Sequence, residues 1–176
     1  MGDRYLIELA DVLRAAGLTV IEVDGWGTRA RSSGGFDGDR PWAIMWHHTA
    51  SDTVPENDVS YICYGSQDAP LANLYLARDG AVWVCAAGAT NTNGKGSAMM
   101  MSKGVVPTDQ ANTHCIGVEA ANDGVGQTWP QVQVDAYFRL NNAVAAAYGL
   151  LPDDCATHHY YAPDRKIDPA TADAVQ

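Results

Sequence analysis

The chain contains no C-x-x-C pair, no H-E-x-x-H, and no apolar run approaching the roughly 20 residues that span a bilayer, and it is poor in basic residues. Each absence removes a class of function. Cys63, Cys85, Cys115 and Cys155 are too scattered for a zinc knuckle or a dithiol redox motif; buried free thiols are the plain reading and a single disulfide the alternative. Without H-E-x-x-H the helix-borne zinc peptidases drop out. Lys and Arg number 11 against 21 Asp and Glu, a formal charge of -10, so a nucleic-acid partner is not expected, because such binders gain affinity from cations that replace counterions. No membrane insertion is expected either. The opening MGDRYLIELADVLRAAG lacks a basic n-region and carries acids among its apolar residues, which reads as a helix rather than a signal peptide.

What is present is the composition of a folded soluble protein, 47% hydrophobic and 18% charged. At 176 residues it is most simply one domain, 1–176, able to bury about two-thirds of its unfolded surface without a structural metal. A bound metal would therefore serve chemistry before stability.

Periodicity gives the expected elements. Asp3 can cap a helix whose apolar positions Leu6, Leu9, Ala10, Leu13 and Ala16 recur at helical spacing, with Gly17 as the stop. VIEVDG at 20–25 reads as a short strand, followed by the Gly- and Ser-rich loop GTRARSSGGFDGDRP and then WAIMWH, a buried strand ending on His47. NLYLAR and AVWVCA flank Asp79-Gly80, a pair that predicts a type I′ hairpin. AGATNTNGKGSAMMMSKGVVP is expected to be loop, and HCIGVEAAN a strand with Cys115, Gly117 and Glu119 on one side. Thr128 and Pro130 open a helix through VQVDAYFRLNNAVAAAYG that Gly149 ends; the remainder is expected to be loop.

Two tandem histidine pairs, in WHHTAS and THHYYAPDRKIDP, stand more than a hundred residues apart. A catalytic zinc needs three protein ligands and one open position, which two His and one carboxylate satisfy. His47, His158 and Asp168 could supply them, one from a strand end and two from a loop on a rigid scaffold. A lone His is more often an ordinary imidazole than a ligand, and most exposed acids and lysines are plain surface, so the residues alone leave both readings open.

The motifs taken together resemble the zinc-dependent N-acetylmuramoyl-L-alanine amidases, a family that includes phage lysins and peptidoglycan recognition proteins. The resemblance runs from about residue 41 to 169: MWHHTA carries the first ligand, CIGVEA contains Glu119, and Pro163-Asp164-Arg165-Lys166-Ile167-Asp168-Pro169 follows a His placed ten residues ahead of the Asp. PLANLYLARDGAVWVCAAG is similar to the central hairpin of lysin A amidases from phages of mycobacteria and related actinobacteria. The resemblance implies one zinc ion on His47, His158 and Asp168, in an α/β fold whose central mixed sheet is flanked by helices, with the zinc at one edge of the sheet. It implies hydrolysis of the amide between N-acetylmuramic acid and L-alanine, for host cell-wall lysis. Synthesis in the host cytoplasm and a monomer with muramoyl-peptide as its partner go with that reading.

In the same reading Glu119 is the general base and Lys166 holds the oxyanion, while His48, Thr49, Asn73 and His159 face substrate. Two departures stand out. Thr157-His158-His159-Tyr160 replaces the Gly before the ligand and the acid after it that many relatives carry. Ala72 and Asn73 occupy the place of a Tyr-His pair found in others, which leaves the base role to Glu119. Trp46, Trp83 and Trp129 could be sugar platforms but fit core positions better, and they stay outside the predicted site. A recognition module without zinc is one rival; such relatives lose a ligand, and this chain keeps all of them. A cysteine hydrolase built on Cys63 or Cys115 is the other, with no local nucleophile signature behind it. The closing PATADAVQ reads as a linker cut from a longer modular lysin.

Overall fold

The computed structural model describes residues 2–170. In chain order the elements are α1 (Leu9–Ala15), β1 (Val20–Glu22), β2 (Ala43–His48), α2 (Pro55–Tyr64), β3 (Leu74–Leu76), β4 (Val82–Val84), β5 (Met99–Met101), β6 (Gly104–Val106), α3 (Ala111–His114), β7 (Cys115–Ala120), α4 (Gln131–Tyr148), β8 (Cys155–Thr157) and α5 (His158–Tyr161). Six strands form one mixed sheet in the order β1-β4-β3-β7-β2-β8, and β5 pairs with β6 separately. Within the large sheet only β3 and β4 are antiparallel. The expected α/β class and helix-flanked mixed sheet are what the chain forms.

Strand alternation assigns the two faces. Ile44, Trp46, Leu74, Leu76, Ile116 and Val118 pack against Leu9 and Leu13 of α1 and Ala136, Leu140 and Val144 of α4. Each such large side chain, removed from water, contributes about 1.5–3 kcal/mol. Trp46 belongs to this core: it is stacked on Tyr137 and donates its indole N–H to Asn141 Oδ1 at 3.1 Å. On the opposite face two smaller cores form. Ala43, Met45 and Cys115 meet Met99, Met101 and Val106 of the small hairpin, whereas Tyr75 and Cys85 meet Val59, Ile62 and Cys63 of α2. His47 and Glu119 continue the inner rows of β2 and β7 on this second face.

Several expectations need correction. Asp3 caps nothing: Gly2 and Arg4 bridge to residues 34–36, with Arg4 N–H on Phe36 O at 3.1 Å and Phe36 N–H on Arg4 O at 2.8 Å, so the helix starts only at Leu9. The ladder satisfies the backbone groups that a longer helix would have used. The hairpin between β3 and β4 forms, but only Gly80 of the Asp79-Gly80 pair has positive φ, at 86°. Ala77 O accepts the Gly80 N–H at 3.0 Å and Asp79 Oδ1 accepts the Ala81 N–H at 3.0 Å, giving a three-residue loop in place of a type I′ turn. The stretch expected to be one long loop contains β5 and β6, and the tail after α4, also expected to be loop, contains β8 and α5. Helix α2, begun by Pro55, has no counterpart among the expected elements. The expected stops at Gly17 and Gly149 hold, with φ of 76° and 62°. Residues 171–176, the greater part of the expected linker, lie outside the described residues.

One buried acid fixes the end of the chain that bears the site. Asp154, fully buried, accepts hydrogen bonds from Ser102 N at 2.7 Å, Ser102 Oγ at 2.5 Å and Leu151 N at 2.7 Å. It ties the β5–β6 turn to the start of β8 and so sets where β8 delivers His158.

Candidate metal centre and active site

β2, β7 and β8 run parallel, so their carboxyl ends open on the same side, the usual place for a ligand crevice in such sheets. His47 is the penultimate residue of β2, 1% exposed. His158 follows β8, the edge strand, directly: the Thr157 side chain accepts the Tyr160 N–H at 3.1 Å, caps α5 and turns the chain there. The loop then folds back. His159 N–H donates to Asp168 O at 2.9 Å and His159 Nδ1–H to Lys166 O at 2.6 Å, which returns Asp168 to the side of His158.

The result is a convergence of three atoms. His47 Nδ1 lies 2.8 Å from His158 Nδ1 and 3.1 Å from Asp168 Oδ2, and His158 Nδ1 lies 2.9 Å from the same Oδ2. The outer nitrogens both end on Asn93: His47 Nε2 is 3.0 Å from its Oδ1 and His158 Nε2 is 2.9 Å from its carbonyl O. Carbonyl oxygens only accept, so both Nε2 atoms carry the hydrogen and, in the neutral rings, both Nδ1 atoms present lone pairs. Two lone pairs and a carboxylate oxygen facing one another call for a shared cation, either a proton on one Nδ1 or a metal ion. Ligand atoms on a tetrahedral zinc stand about 3.3 Å apart by the usual bond lengths, close to the spacing found. The donor set, two imidazoles and one carboxylate, fits zinc with a fourth position left open.

Charge follows from burial. Desolvation lowers the His47 pKa, against the Asp168 hydrogen bond, and favours the neutral imidazole a metal needs. Burial would raise the Asp168 carboxyl, but a proton carried on Nδ1 of His158 or His47 and donated to its Oδ2 holds it well below the usual range. Glu119 goes the other way: burial first and the Asp168 charge second push its carboxyl well above the ordinary value, with Lys166 opposing. Its Oε2 is buried and, among the described residues, has no hydrogen-bond partner.

His47, His48, Thr49, Thr92, Glu119, His158, Lys166 and Asp168 line one open cleft of about 220 Å³. The fold thus assembles the three ligand candidates, Glu119, Lys166, His48 and Thr49. It does not bring Asn73 there. That side chain is fully buried and spent on backbone, donating to Ala86 O at 3.0 Å and Gly88 O at 2.8 Å and accepting from Gly117 N at 3.0 Å. His159 is exposed and acts on the loop, not the cleft. His48 accepts the Ala170 N–H at 3.0 Å, and its ring covers Gly124. Neither Cys63 nor Cys115 lines the cleft, both are buried, and all four cysteines are free thiols. Trp129 donates its indole N–H to Ala170 O at 2.9 Å.

Sequence reasoning missed two residues, Thr92 and Asn93. Both sit in the TNTNG run after the hairpin, where unusual polar density in a Gly-rich loop is the signal to look for. Thr92 also explains Gly117: a Cβ there would stand 2.1 Å from Thr92 Oγ1, so β7 must be bare where the loop crosses it.

Comparison with known proteins places this geometry. The sequence pattern of the family described as N-acetylmuramoyl-L-alanine amidase matches residues 37–171. No curated protein sequence matches the chain. Among solved structures, the endolysin amidase LysCS from Clostridium intestinale URNW is 15% identical with a TM-score of 0.59, covering 88% of each chain. The Ph2119 endolysin from the Thermus scotoductus MAT2119 bacteriophage is 19% identical with a TM-score of 0.56, over 85% of this chain and 90% of its own. AmiD from E. coli, in complex with anhydro-N-acetylmuramic acid-L-Ala-D-gamma-Glu-L-Lys, is 18% identical with a TM-score of 0.61, over 85% of this chain and 60% of its own. At these identities the likeness is one of fold.

Proposed function

The chain belongs to the N-acetylmuramoyl-L-alanine amidase family, and from that premise we propose that it is a zinc-dependent endolysin that frees the stem peptide of peptidoglycan from N-acetylmuramic acid during host lysis. The observation that carries the metal part is the convergence of His47 Nδ1, His158 Nδ1 and Asp168 Oδ2 beside the Glu119 carboxyl, whose Oε2 is buried without a hydrogen-bond partner among the described residues. Zinc, when bound, supplies Lewis acidity and brings the pKa of water toward about 7, which makes a nucleophile available at neutral pH.

The chain's own residues do the rest. Glu119 takes the proton of the attacking water and returns it to the departing L-alanine nitrogen; its raised pKa suits a group that must hold the proton between the two events. Lys166, on the same cleft, places its ammonium where the scissile carbonyl oxygen gains charge. Thr49 and His48 rim the cleft, where they can meet the muramoyl-peptide. A muramoyl-tripeptide bound by the similarly folded AmiD supports this choice of substrate. Among the described residues no helix is long and apolar enough to cross a membrane.

The test is digestion of purified cell wall with and without a chelator. New L-alanine amino termini that vanish on chelation and return with zinc are expected. Release of reducing sugars would mean a glycosidase, and activity indifferent to chelation would remove the metal. Wall binding without hydrolysis would favour the recognition module.

A further inference from the structure

Asn93 is the residue on which both ligand imidazoles rest. Its side-chain oxygen takes His47 Nε2–H, and its main-chain oxygen takes His158 Nε2–H. Three further observations bear on its purpose. Asn93 is fully buried. Its amide nitrogen Nδ2 is buried and, among the described residues, has no partner, so this side chain is held there for its oxygen alone. Its own N–H donates at 2.7 Å to Oδ1 of Asn112, on the short helix that leads into β7, the strand of Glu119. One loop residue therefore joins the two histidine ligands to the strand of the proposed base.

We propose that Asn93 is a positioning residue that fixes His47, through its side chain, and His158, through its main chain, in the Nε2–H tautomer, so that both present Nδ1 to the metal. The inference rests on the zinc reading above. The physics is that of an acceptor behind a ligand imidazole: it selects the nitrogen left for the metal, holds the ring plane, and typically sets 10–100-fold of metal affinity. A neutral amide achieves this without adding a third carboxyl to a pocket that already holds Asp168 and Glu119. The split between side chain and main chain gives the two histidines different sensitivities to substitution at one position.

The test compares wild type, Asn93→Ala and Asn93→Asp in two measurements, with thermal unfolding as a check of folding. Long-range 1H–15N spectra of the metal-free proteins at alkaline pH report each imidazole tautomer, and competition with a chromogenic chelator reports zinc affinity. In wild type both His47 and His158 should be Nε2–H. Asn93→Ala should abolish the single tautomer of His47, leave that of His158, and weaken zinc 10–100-fold. Asn93→Asp, whose carboxylate only accepts and gives up an N–H group that had no partner, should keep the His47 tautomer and bind zinc at least as tightly as wild type. The proposal is overturned if His47 is Nδ1–H in wild type, or if Asn93→Ala changes neither tautomer nor affinity. It is equally overturned if folded Asn93→Asp loses the His47 tautomer, which decides the matter even where the alanine variant is too unstable to purify. A wild type that binds no zinc would instead sink the metal reading, leaving the spectra to judge the positioning on their own.

Discussion

His47 and Glu119 are register partners on the adjacent parallel strands β2 and β7. Neighbouring strands lie about 4.8 Å apart, so a proposed ligand and the proposed base are set side by side by sheet hydrogen bonds rather than by loops. His158 and Asp168 come from the last turn of the fold and close on this rigid pair. The consequences below separate metal binding, chemistry and folding.

Replacing His47, His158 or Asp168 by Ala should lower zinc content and wall lysis together, because each removes one of three donors that meet at one point. Elemental analysis of the purified variants checks this. Full zinc occupancy in all three would sink the ligand assignment.

Glu119→Gln and Lys166→Met should leave zinc bound and the fold intact while turnover falls by about 10²–10³. The loss should lie in kcat more than KM, since both groups act on charge that develops only as water attacks. Steady-state hydrolysis of a muramoyl-peptide, with zinc measured on the same samples, decides it. Wild-type turnover in either variant would remove that residue from the chemistry.

Gly117→Ala should destabilise the protein by about 1–3 kcal/mol, the usual range for overpacking a tight contact. The new Cβ would meet Thr92 Oγ1 at 2.1 Å and push back the loop that carries Asn93. A lower urea midpoint should therefore come with weaker zinc binding. Loss of stability with unchanged zinc affinity would show that the loop yields without moving the ligands.

Asp154→Asn should cost about 1–3 kcal/mol at neutral pH by disrupting charge-assisted hydrogen bonds. Burial opposes the Asp154 charge, but the bonds from Ser102 and Leu151 outweigh it and lower the carboxyl's pKa. A group depressed on folding stabilises above its unfolded pKa, about 3.9, and loses that contribution as the pH falls through its folded value. The gap between wild type and variant in urea should thus be wide at pH 7 and shrink toward pH 2. A gap independent of pH would mean the bonds do not depend on the charge.

The sequence by itself determined which residues could carry the chemistry and the strands that hold His47 and Glu119. Alternation in WAIMWH and CIGVEA fixed which side chains share a face, and the ten-residue step from His158 to Asp168 carried the resemblance to the amidase family that singles those two residues out. These signals are local, because a strand's period and a motif's spacing are written in neighbouring residues. The tertiary structure decided the rest. Asn93 reaches His47 across 46 positions and His158 across 65, and no periodicity encodes such a meeting. Asn73, beside the predicted cleft in sequence, turned inward because three nearby backbone groups needed partners in the dry core. The small β5–β6 hairpin was hidden in a Gly- and Met-rich stretch because its strands exist by packing on Ala43, Met45 and Cys115. Propensity is weak there, and the sheet beneath supplies what the sequence lacks.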